Sequence, residues 1–103
     1  MIPTSRSYTT PIRTLNDIRI YDNGGKTADR YTVVFLWDIT NPAKRYVAMV
    51  GMGETPFHPQ GFCQHTEGQD GAHLGKRINY VDLNDDCAKV VDMELAAYNG
   101  VSR

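Results

Sequence analysis

The sequence predicts a single α+β domain, a mostly antiparallel sheet of about four strands with one C-terminal helix packed on one face. Three observations lead there. Apolar and polar residues alternate in four short stretches, the links between the first three are short, and one capped stretch with helical spacing closes the chain. A chain of 103 residues is enough for one hydrophobic core. Residues 15–103 are expected to form that domain and residues 1–14 a flexible N-terminal arm, polar and hydroxyl-rich, in which Pro3 and Pro11 exclude a helix.

Residues 17–21 (DIRIY) put Ile18 and Ile20 on one face and Arg19 and Tyr21 on the other, the pattern of a half-buried strand near an edge. The next stretch, DNGGKT, supplies the Asn-Gly and Gly-Gly pairs that tight turns with positive φ require. It ends like a phosphate-binding loop, but Ile20 stands where that motif needs its first glycine, and a strand follows where it needs a helix. What survives is a weaker expectation, that Gly24, Gly25 and Lys26 hold an anion through their amides and the ammonium group. Residues 31–38 (YTVVFLWD) are apolar on both faces and belong in the middle of the sheet. A turn at residues 40–43 then joins residues 45–52 as an antiparallel third strand. Residues 76–81 (KRINYV) alternate as a fourth, more exposed strand. The helix begins at Asn84 as N-cap, with Asp85 and Asp86 against the positive end of its dipole and Leu83 stapled to Ala88. Ala88, Val91, Leu95 and Tyr98 form its apolar stripe, and Asn99-Gly100 ends it.

Between the third and fourth strands, residues 54–76 (ETPFHPQGFCQHTEGQDGAHLGK) read as one long loop holding all three histidines and Cys63. Loops fixed at both ends by a scaffold are where binding and catalytic groups collect. Here Phe57, His58, Gln60, Phe62, Gln64 and His65 are expected to form a contact surface for a protein, since preorganised aromatics gain contact area at low entropic cost. The competing reading is that Phe57 and Phe62 pin the loop to the core. If a metal such as zinc is bound, His58, Cys63, His65 and His73 are the ligands, but the paired C-x2-C or H-x3-H units of zinc sites are missing and no cofactor is expected. Cys63 as a nucleophile, with a histidine as base and Asp70 or Glu67 as orienter, lacks a following helix N-terminus to lower its pKa. Cys87 sits beside Asp85 and Asp86, which oppose a thiolate, and reads as a small core residue. No catalytic residues are assigned, and a small metal- or cysteine-dependent enzyme is the alternative to a binder.

A formal charge of −1 gives no bulk attraction to nucleic acid or to an anionic membrane. A nucleic-acid-associated protein would have to gather Arg19, Lys26, Arg30, Lys76 and Arg77 on one sheet face. No apolar run reaches the roughly 20 residues of a membrane helix and the N-terminus lacks a secretory core, so the expected compartment is the cytoplasm.

The phrases IRIYDNGGKTADRYTVVF, PFHPQGFCQHTE and HLGKRINYVDL, spanning residues 18–83, resemble a family of small uncharacterised proteins encoded by bacteriophages and other mobile elements. The resemblance brings no catalytic residues with it. It implies an accessory protein in the cytoplasm of a bacterial host. Such a protein would act by binding a host or phage protein, with inhibition of antiviral defence, as by an anti-CRISPR protein, among its roles.

Overall fold

The computed structural model describes residues 11–100 of the chain. Five strands form one antiparallel sheet: β1 (Ile18–Asp22), β2 (Tyr31–Asn41), β3 (Tyr46–Met52), β4 (Cys63–Gly68) and β5 (Lys76–Ile78). They lie in the order β4-β3-β2-β1-β5, and one helix, α1 (Asp85–Tyr98), follows. The architecture is the α+β one expected. The strand not foreseen is β4, which falls inside the expected loop. The last strand is shorter than its alternation suggested, giving way after Ile78 to a 3-10 turn over Tyr80–Asp82.

The core follows from strand alternation. Ile18 and Ile20 of β1, Tyr31, Val33 and Phe35 of β2, and Val50 and Met52 of β3 point to one face, where they meet Leu83, Cys87, Val90 and Val91. The helix therefore buries Cys87 and Val90 as well as the expected Val91, while Ala88, Leu95 and Tyr98 are half-buried at the margin of the same core. Asn84 caps it as expected, its side chain accepting from the Cys87 amide at 2.8 Å. The other face of β2 is also covered, because Val34 packs with Tyr21 and Met49 and is flanked by Leu36, Val47 and Leu74.

That second layer is held on by a strap. β4 and β5 lie at opposite edges, so the seven residues 69–75 between them must cross four strand spacings. This is roughly 19 Å, which seven residues span with room for the 3-10 turn that Ala72–Leu74 makes on the way. Asp70 fixes the crossing, accepting from Arg19 Nη1 at 2.5 Å and from the Tyr21 hydroxyl at 2.6 Å. Burial and this acceptor together raise the Tyr21 pKa.

Of the expected arm, residues 1–10 lie outside the described residues. Arg13 is tied to the helix end, its amide donating to Asn99 Oδ1 at 2.8 Å and its carbonyl accepting from Asn99 Nδ2 at 3.0 Å. Its guanidinium stacks 4.8 Å from the centroid of Trp37.

Candidate functional site

β3 and β4 form a hairpin whose loop is closed by a bond from the Gly53 amide to the Phe62 carbonyl at 2.8 Å. Two turns fold the loop upon itself, with the His58 amide donating to Thr55 O and the Gly61 amide to His58 O. Position 61 must be glycine, because a Cβ there would stand 1.8 Å from the Thr55 carbonyl oxygen. The tip presents Phe57, His58 and Gln60, all exposed, and His58 Nδ1 accepts from the Gln60 amide. Phe62 is half-buried at the base.

The pairing of Gly53 with Phe62 sets the bonding parity of β4. In an antiparallel ladder, opposed residues alternate between pairs that exchange both bonds and pairs that exchange none. The register opposes Met52 to Cys63, Gly51 to Gln64 and Val50 to His65. Gln64, Thr66 and Gly68 thus bond inward to β3, while the N–H and C=O groups of Cys63, His65 and Glu67 point away from it. Among the described residues no strand pairs with that outer edge. Side chains alternate too, so Cys63, His65 and Glu67 share the helix-side face with Val50 and Met52. Gln64 and Thr66 share the opposite face and border a small hollow with Asp29, Gly51 and Phe62.

The six expected contact residues are therefore not one surface. Phe57, His58 and Gln60 occupy a loop tip, and Gln64 and His65 lie on opposite faces of an edge strand. Sequence reasoning missed the strand itself and the open edge at Cys63, His65 and Glu67.

The structure does not bring His58, Cys63, His65 and His73 together, and no group of three metal-ligating side chains converges among the described residues. His65 instead meets Glu94 of α1, Nε2 to Oε1 at 2.9 Å. Burial and the Glu94 charge raise the Cys63 pKa, the wrong direction for a nucleophile. Cys87 is fully buried, and burial pushes its thiol up to about 11.

The expected anion site is likewise rearranged. Asp22 Oδ1 accepts from the Gly24 amide, and Asn23 Oδ1 accepts from those of Gly25 and Lys26, so the turn's amides are taken by its own side chains. Lys26 does line a groove with His73 and Lys76, but Asp22 lines it as well. Hydrogen bonding from Arg30 lowers the Asp22 pKa and holds it charged. Of the five basic residues considered for nucleic acid, Arg19 is paired with Asp70, and Arg30 with Asp22 and Glu54. Lys26, Lys76 and Arg77 are left.

Among the described residues no helix is long and apolar enough to cross a membrane. Compared with known proteins, the chain matches no family model, no curated protein and no solved structure.

Proposed function

We propose that this chain is a binding protein that docks a partner polypeptide by strand addition along β4. The observation that carries the reading is the contrast between the two sheet edges. β5 is three residues long and turns only Arg77 outward, beside Lys76, and short, charged strands are how native sheets protect an edge. β4 is six residues long, with no proline or lysine, and its first five residues are exposed. Three residues offer outward N–H and C=O groups in a row. An added strand takes its affinity from such main-chain bonds and its specificity from alternate side chains. Cys63, His65 and Glu67 would supply that specificity on one face and Gln64 and Thr66 on the other. Phe57, half-exposed on the adjoining loop, adds an apolar anchor.

The resemblance to phage-encoded proteins supports a host or phage protein as that partner, met in the host cytoplasm, with inhibition of antiviral defence as the consequence. The test is affinity capture from phage-infected host lysate with quantitative mass spectrometry, comparing the wild type with His65→Pro. Proline removes an outward donor and leaves the inward ladder at Gln64 and Thr66 in place. A partner retained by the wild type and lost with the variant, at equal thermal stability, supports the reading. Partners recovered equally by both exclude it.

A further inference from the structure

We propose that the tip of the β2–β3 hairpin is a second docking site, which takes an acidic polypeptide segment bearing an apolar anchor residue. The site is separate from the β4 edge and does not depend on it. At this end of the sheet the ladder slips: after Phe35 pairs with Ala48, pairing resumes with Ile39 opposite Val47 and Asn41 opposite Tyr46. Leu36, Trp37 and Asp38, and then Thr40, are thus extra residues on β2, an irregularity that re-aims the side chains after it. Trp37 turns to the helix side against Tyr98, whose hydroxyl donates to Asp38 at 2.5 Å. Leu36 joins the opposite layer beside Val47, and Ile39 is left 59% exposed.

The outcome is an open apolar hollow of about 300 Å³ lined by Leu36, Ile39, Pro42, Arg45, Tyr46 and Val47. Its volume suits one large aliphatic or aromatic side chain, and Arg45 and Tyr46 are the only residues of its wall with polar side chains. Charge selects the rest of the occupant. Lys44 stands 5.7 Å from the Tyr46 ring centroid and Arg45 borders the hollow, and among the described residues neither forms an ion pair. Asp38, the acidic residue of the bulge, accepts from the Tyr98 hydroxyl of α1 and forms no ion pair with Lys44 or Arg45. Two uncompensated cations beside an apolar hollow complement a segment in which Asp or Glu flanks Leu or Phe.

The backbone adds a second sign of a built feature. Arg45 has φ 59°, the only non-glycine positive φ among the described residues, and it follows a Pro42–Lys44 turn capped by Asn41. Glycine would adopt that conformation more readily, yet a guanidinium stands there.

The experiment is a titration of ¹⁵N-labelled protein with a short synthetic peptide in which Glu residues flank Leu, beside a control peptide with Lys in place of Glu. Saturable shifts at the Leu36, Ile39, Arg45, Tyr46 and Val47 amides are expected with the acidic peptide alone, weakening as salt is raised. Arg45→Gly should keep the melting temperature, because glycine suits the position, yet weaken binding by about tenfold or more. Ile39→Ser should weaken it similarly, and His65→Pro should leave it unchanged. The proposal is overturned by no saturable shift, by equal shifts with the Lys peptide, or by Arg45→Gly binding like wild type. It is also overturned if the same amides respond to protein concentration alone or more strongly to an oligonucleotide, since the occupant would then be a second copy or a nucleic acid.

Discussion

Two adjacent proline substitutions in β4 should differ sharply in cost. Gln64 opposes Gly51 in a pair that exchanges both ladder bonds. Gln64→Pro removes one of those donors, strands the Gly51 carbonyl and forces a ring toward β3, together about 3 kcal/mol. His65 opposes Val50 in a pair that exchanges none, so His65→Pro breaks no ladder bond. What it loses is the 2.9 Å contact to Glu94, and the His65 side chain is 74% exposed. An exposed pair of that kind contributes under about 1 kcal/mol. The gap of about 2 kcal/mol corresponds to roughly 10 °C in melting temperature for a domain of this size. Urea unfolding followed through the single tryptophan, Trp37, measures it, because that ring packs 4.8 Å from Tyr98 and 5.8 Å from Phe35. Equal destabilisation, or a larger loss for His65→Pro, would refute the bonding parity and with it the open edge.

Gly61→Ala should destabilise by several kcal/mol and raise amide exchange over residues 53–62, since its methyl group overlaps the Thr55 carbonyl; wild-type exchange there would contradict the loop geometry. Asp70→Ala should cost about 1–2 kcal/mol by leaving the buried Tyr21 hydroxyl without its acceptor, whereas Arg19→Ala should cost less, its side chain being 42% exposed. Urea midpoints in the reverse order would show that the strap is not held this way. The Cys87 thiol, ordinarily near 9.0, is raised to about 11 in the fold, so above pH 9 the unfolded chain binds fewer protons than the native one. Its contribution is full below pH 9 and is lost as pH rises to about 11, by roughly 2–3 kcal/mol. Cys87→Ala should lose less stability than wild type between pH 8.5 and 10.5, and parallel profiles would count against burial as the cause.

The legible parts of the fold were those where burial writes a period into the sequence. β2 is covered on both faces, so Tyr31 to Leu36 is nearly continuous apolar sequence. The helix announces itself through Asn84 and the Val91 stripe. β4 carries no such mark, because an edge strand exposed on both faces has no reason to alternate, and Cys63-Gln64-His65-Thr66-Glu67 therefore passes for loop. The available hints were Phe62 ahead of it, the β-branched Thr66 and the stop at Gly68. The contact residues were misgrouped for the same reason, since sequence neighbours on a strand face opposite ways. The amides of the Gly24-Gly25 turn are satisfied by Asp22 and Asn23, whose side chains fold back locally, and a glycine pair by itself does not show this. The bulge at Leu36–Asp38 depends on Trp37 and Tyr98 meeting across the fold, which no local pattern encodes.

The central claim is that a partner strand adds to β4, and backbone amide exchange in the partner-bound protein tests it most directly. With the captured partner in place, the outward amides of Cys63, His65 and Glu67 should become strongly protected, while the inward amides of Gln64 and Thr66, already bonded to β3, should change little. Free exchange at all three outward amides in the saturated complex, with protection elsewhere on the domain, would contradict the account.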